Sequence, residues 1–310
     1  MIDPVILLQI LWTGIAMSSY FVLFTVAFAL TLKVEKLWNF AQAGLMGIAF
    51  YTMFWTLNAG HWPVWAGIAA AVVVTCAVTV GVEVWAVDVL RRRHSSGLIF
   101  FIFTLIFSQF VSFLLTLLFG TEPETIFPSV MSPVRIIAGI AVTDWDLQAV
   151  GLTLGLLIAL YLLIRFTRDG QFMVAVADNE KLAGIYGISA MRAYLLSGVI
   201  AALLIVAGIW LYGTRAGVTP DVPIGLILTA VIATLIGGLG RVFSAALAAV
   251  GLALLQSFSI LFIASKWQTL LLYCVLFVAL LVFPRGIPVW RRRVRTPPVP
   301  APPVAAQAGG

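Results

Sequence analysis

The sequence predicts an all-α polytopic membrane protein. It has about eight or nine transmembrane helices, some of them discontinuous, and a short cytoplasmic helix between two spans. Two observations predict this. The 310 residues are 62% hydrophobic and only 10% charged, with mean hydropathy +1.11, whereas a soluble domain needs charge to cover its surface. Several apolar runs also exceed the ~20 residues that cross hydrocarbon, where only a helix or a closed barrel satisfies its own backbone. The net charge of +6 sits between the runs, so membrane topology accounts for it and no nucleic acid is needed.

The spans fall near 5–31, 38–58, 64–89, 98–119, 147–166, 192–213, 224–238, 242–263 and 267–283. The first run follows "MIDP" with no basic segment ahead and is too long for a cleaved signal. With the N-terminus outside, fifteen basic residues lie on the inner side, and only Arg135, Arg215 and Lys266 lie outside. That bias sets an outside N-terminus and a cytoplasmic C-terminus. The apolar, membrane-spanning region covers 1–287. Within it, 120–146 is an external loop and 167–191 a cytoplasmic one. Residues 288–310 form a basic, Pro-rich tail expected to be disordered. Cys76 and Cys274 lie inside apolar runs and read as small core residues.

The second span opens on "NFAQAG". Asn39 fits an N-cap, with the helix starting at Phe40 and Gln42 reaching back as in a capping box. Such a start leaves free N–H groups and a positive dipole end near membrane depth, as in the broken helices that hold polar ligands in transporters. It equally fits a helix that begins at the inner interface after Lys36. Gly237-Gly238-Leu239-Gly240 is a second break between the seventh and eighth spans, and glycines there permit a tight turn. Ala245, Ala249 and Ala253 then form a small stripe suited to close packing.

The fourth span carries Thr104, Ser108, Ser112 and Thr116 at i+4 steps, with Gln109 beside them. That stripe either lines a path or bonds within the bundle. Glu83 and Asp88 end the third span, where Asp88 and Arg92 are i, i+4 partners and neutralisation is the plainer reading. His61 and His94 are both in loops, so neither a catalytic nor a metal-ligating set emerges. No phosphate-binding Gly-x-x-x-x-Gly-Lys-[Ser/Thr] motif occurs.

The inner loop 167–192 is too long for a minimal connection. Its centre, Val174 to Ile185, reads as one short helix with a polar patch at Asp178, Asn179, Glu180 and Lys181. Ala175, Ala177, Ala183 and Gly184 flank that patch, and Gly187 ends the helix. Such an element docks into a cytoplasmic partner or rests on the bilayer.

Taken together, Asn39-Phe40-Ala41, the run Gly170 to Ile188, Gly237-Gly238-Leu239-Gly240 and the terminal "LLVFPRGI" with Pro284, Gly286 and Ile287 resemble the permeases of branched-chain amino acid ABC importers. The likeness extends from about Leu11 to Ile287. The family's Asn-Phe-Ala usually continues His-Gly-Glu, where this chain has Gln42-Ala43-Gly44. Val174 stands in place of the family's Arg, and Ser244 in place of a further Gly.

The resemblance implies a transport subunit of the bacterial cytoplasmic membrane rather than an enzyme, with no catalytic residues, metal or cofactor of its own. It implies a second membrane permease subunit, two cytoplasmic ATP-binding subunits that hold the ATP, an external solute-binding protein and surrounding lipid. The expected solutes are branched-chain or related amino acids. The substrate pathway is expected at Asn39, Phe40, Gln42, Gly44, Ser108, Gln109, Gly237, Gly238 and Gly240. ATPase coupling is expected at Ala175, Ala177, Asp178, Asn179, Glu180, Lys181, Gly184 and Gly187. The alternative is an ATP-independent channel or secondary transporter for an amide, urea or an organic acid.

Overall fold

The computed structural model describes residues 4–93, 95–127, 134–137, 139–262 and 267–282. His94, Lys266, the Pro284-Gly286-Ile287 motif and the tail at 288–310 lie outside the described residues. In chain order the helices are α1 Pro4–Glu35, α2 Ala41–Phe54, α3 Val64–Val82, α4 Asp88–Arg92 and α5 Gly97–Phe119. After the hairpin β1 Val134–Ile137 and β2 Ile140–Thr143 come α6 Asp144–Phe166, α7 Arg168–Asp178, α8 Glu180–Ile185 and α9 Ala190–Gly213. The chain continues through α10 Val222–Gly237, α11 Val242–Ser259 and α12 Gln268–Val282.

The protein is a helical polytopic membrane protein. Among the described residues six helices are long and apolar enough to cross a membrane. The second span extends α2 by a π-turn over Trp55–Ala59, closed by Gly60 N–H donating to the Trp55 carbonyl at 2.9 Å. A second π-turn, Glu83–Val87, joins α3 to α4 without interrupting the helix. The sixteen residues of α10 and fifteen of α12 make shorter apolar helices.

The bundle is built around α1. Of its most apolar window 83% is buried, against 17% for the windows of α3 and α6. Helix α11 packs along α1, with α9 and α10 beside it. The alanines of α11, Ala245, Ala249 and Ala253, are all buried, and Ala245 meets Gly237 of α10, where small side chains let backbones approach. Helices α3, α5 and α6 stand at the rim and leave Val73, Phe113 and Leu154 exposed, as lipid-facing helices do. Cys76 is half-buried and Cys274 exposed, so neither is a core residue as the apolar runs suggested. An outward-facing thiol at membrane depth meets lipid at no polar cost.

The hairpin is an element that periodicity did not reveal. It pairs Val134 with Thr143 and Arg135 with Val142. Gln9 holds it to α1, donating to the Ala141 carbonyl at 3.1 Å and accepting from the Ala141 N–H at 2.8 Å. Thr143 and Asp146 then form a capping box that starts α6, three residues before the expected 147. Asp146 also accepts from Arg215 at 3.0 Å and from Trp12 at 3.3 Å, which ties α1, α6 and the end of α9 together.

Candidate functional site

The head of α2 is built differently from its sequence expectation. Lys36 takes a left-handed φ of 58° and ends α1, so the chain turns sharply before Asn39. The helix begins at Ala41, one residue later than expected, with Phe40 as its cap. Asn39 Oδ1 accepts from the Ala41 N–H at 3.2 Å, a local turn rather than a capping box. The Phe40 N–H donates to Thr104 Oγ1 of α5 at 3.2 Å. The Phe40 ring meets Phe101 edge-on, centroids 5.2 Å apart. Two N–H groups expected to stand free at the positive end therefore already have partners.

Gln42 does not reach back to the cap. It is buried and crosses to α1, where Nε2 donates to Thr31 Oγ1 at 2.8 Å and to the Ala27 carbonyl at 3.4 Å. Its Oε1 is buried without a partner. Two residues on, about half a turn around the helix, Gly44 faces α5. A Cβ there would sit 3.3 Å from both the Ser108 Cα and the Val111 Cβ. Gly44, Gly47, Ser108, Ser112, Pro220 and Pro223 line a cavity of only about 10 Å³. That is room for about one water molecule, so the crevice between α2, α5 and the start of α10 is closed.

The polar stripe of α5 divides. Thr104 seals the head of α2, Ser108 is buried against Gly44, and Ser112 donates to the Pro220 carbonyl at 2.9 Å. Thr116 donates to its own i−4 carbonyl. Gln109 is exposed on another face, so it does not join the crevice with which the sequence grouped it.

At the second break, Gly238 and Gly240 have φ of 94° and 80°, the left-handed region that glycine enters without steric cost. A Cβ on Gly237 would overlap the backbone of Ala245, so glycine is required for α10 to touch α11. Gly237–Gly240 packs on α11, while Asn39–Gly44 packs on α1 and α5. No described cavity is lined by both breaks.

The inner loop forms two helices rather than one. Asn179 is extended at φ −152°, and its side chain accepts from the Leu182 N–H, which ends α7 and caps α8. The Ile188 and Gly187 N–H groups donate to the Ala183 and Gly184 carbonyls, both at 3.0 Å. With Gly187 at φ 77° this is a Schellman stop, as expected of Gly187. Met173, Val176, Ala177 and Ala183 are buried and Ala175 is half-buried. Asp178, Asn179, Glu180, Lys181, Gly184 and Gly187 are exposed. Ile185 and Tyr186 are 80% and 78% exposed, a large apolar surface on a short, well-anchored helix.

One cluster was not assembled from the sequence. Arg91 donates to Glu83 Oε1 at 2.6 Å and to Glu35 Oε2 at 3.4 Å. Its guanidinium lies 3.8 Å from the centroid of the Tyr194 ring, and Ser197 Oγ donates to Glu35 Oε1 at 3.5 Å. The π-turn winds less tightly than an α-helix and helps bring Arg91 over Glu83. Asp88 pairs with Arg92 at 2.7 Å, the neutralisation expected from their spacing. The available signal was two acids and one arginine at the ends of apolar runs. Among the described residues no group of three or more His, Cys, Asp or Glu could hold a metal.

A family described as branched-chain amino acid transport system / permease component matches residues 10–281. The high-affinity branched-chain amino acid transport system permease protein LivH of Escherichia coli (strain K12) is 25% identical over 294 residues, covering 90% of this chain and 94% of that protein. LivH of Salmonella typhimurium matches with the same identity and coverage. No solved structure matches the chain.

Proposed function

Because the chain belongs to the branched-chain amino acid transport permease family, we propose that it is the membrane permease subunit of an ABC importer for branched-chain or related amino acids. On this reading it sits in the bacterial cytoplasmic membrane with its N-terminus outside. It works with a second permease subunit, two cytoplasmic ATP-binding subunits and an external solute-binding protein. ATP is bound by those subunits and not by this chain.

The observation that carries the proposal is the α7–α8 loop. Its inner residues, Met173, Val176 and Ala183, are buried and hold it on the bundle. Its outer surface presents Leu182, Ile185 and Tyr186 beside the charges of Asp178, Glu180 and Lys181. A rigid apolar anchor with a polar rim is the surface that docks a protein partner. Motion of an ATPase would enter at α8 and pass into α9 directly, since only four residues separate them. The closed crevice at Gly44 and Ser108 would open as α2, α5 and α10 part, a rigid-body change of the kind that packed helices undergo.

The test is co-purification with separately encoded ATPases, followed by leucine-stimulated ATP hydrolysis and uptake in liposomes. Solute movement by the isolated chain, without ATPase subunits, would sink the proposal in favour of a channel or secondary transporter.

A further inference from the structure

A cavity of about 510 Å³ lies between α1, α9, α10, α11 and α12, at the end of the bundle where α9 ends and α10 begins. It shares no residue with the crevice at Gly44. Its wall carries Tyr20, Tyr212, Asp221, Thr229, Gln256 and Ser257. Tyr20 and Ser257 are only 6% and 4% exposed. Among the described residues neither their hydroxyls nor the Tyr212 hydroxyl and the Gln256 amide have a hydrogen-bond partner. None of them is sealed inside protein, and all four residues line the cavity. Unpartnered polar groups at membrane depth are costly, and four around one space are explained by a polar occupant.

We propose that this cavity is a solute chamber for small polar molecules of net neutral or positive charge that carry an ammonium or amide N–H. The inference rests on the reading of the chain as a transport subunit. Its size is that of an ordinary small-molecule site. Among the described residues Asp221 is the one carboxylate on its wall, and no Lys or Arg lines it. The nearby Arg215 is engaged by Asp146 at 3.0 Å. An N–H donor thus finds Asp221, whose Oδ1 is already oriented by Ser112 Oγ at 3.1 Å. Solute acceptors find the Tyr20, Tyr212 and Ser257 hydroxyls, and Met17 and Leu226 supply apolar contact. An anion meets a carboxylate with no compensating cation among the described residues.

The test uses the full chain in cell membranes with Cys76→Ser and Cys274→Ser, carrying Ser257→Cys or, separately, Thr229→Cys. Two membrane-impermeant methanethiosulfonates are applied from outside, one bearing trimethylammonium and one sulfonate. The cysteine thiolate attacks the reagent sulfur, a disulfide forms and methanesulfinate leaves. After normalisation to a free thiol, the cationic reagent is expected to react about tenfold faster. Asp221→Asn should remove that preference, and millimolar leucine, a primary amide or a diamine should slow labelling. Absence of reaction at both positions overturns the chamber. So does an anionic reagent that reacts as fast, or failure of all three solutes to protect. Labelling needs no ATPase subunit, so its result is separate from that of the liposome assay. A protected chamber in a chain that transports without ATPases would leave this inference standing and remove the importer reading.

Discussion

Arg91 lies with its guanidinium 3.8 Å from the Tyr194 ring centroid while it binds Glu83 at 2.6 Å. One side chain thus joins the end of α3 to the start of α9, and its second contact, to Glu35, adds α1. Arg91→Ala leaves two buried carboxylates without their cation, a loss of about 3–5 kcal/mol. Arg91→Lys keeps the charge but not the fork or the stacking and should fall between. Thermal unfolding of the detergent-purified chain measures both. Equal melting temperatures for wild type and Arg91→Ala would remove the clamp.

Gln42 tests whether an amide at the head of α2 serves the packing of α1. Gln42→Glu places a buried carboxylate where only Thr31 and a carbonyl wait, and should lower the melting temperature sharply. Gln42→Leu removes two hydrogen bonds but also the unpartnered Oε1, so its cost should be about 1 kcal/mol. A Leu variant less stable than the Glu variant would contradict this.

Gly44 is held between Ser108 and Val111. Gly44→Ala requires shifts of a few tenths of an ångström and should cost about 1 kcal/mol, whereas Gly44→Glu forces α2 from α5 and should cost more. Restoring the acid that the resemblance leads one to expect is therefore predicted to damage this chain. A folded Gly44→Glu protein of undiminished melting temperature would refute it.

Gly237 and Gly184 make a paired control. Gly237→Ala collides with the Ala245 backbone and should destabilise by about 1–3 kcal/mol or more. At Gly184 an added Cβ meets nothing within 4 Å. Gly184→Ala, within a helix, should be neutral or stabilising by about 0.5–1 kcal/mol. Denaturation midpoints decide.

Ile185→Asp changes an exposed side chain and should leave the melting temperature within about 0.5 kcal/mol equivalent. If α8 docks an ATPase, the same change should abolish co-purification. Retained assembly would locate the docking surface elsewhere.

The apolar helical character was legible because a bilayer demands it, although six rather than eight or nine helices among the described residues are long enough to cross; so were the glycine break at 237–240 and the stop at Gly187. The split of the inner helix at Asn179 was hidden because Asn179 can continue a helix or cap one, and neighbouring α7 and α8 contacts choose. Gln109 was grouped with Ser108 by adjacency, yet neighbours on a helix point about 100° apart. Glu35 is masked in the sequence because it sits between Lys33 and Lys36, which look sufficient to neutralise it.

The sequence by itself determined that this chain is a set of apolar helices broken at set points, since local hydrogen bonding in hydrocarbon leaves little choice. Only the tertiary structure decided which face of each helix meets which neighbour. In a soluble helix the polar face betrays the buried one, but here lipid and protein interior are equally apolar, so periodicity is silent. That is why Gln42 turned to α1, Arg91 to Tyr194, and Tyr20 with Ser257 to one shared cavity: partners far apart in sequence, selected by packing.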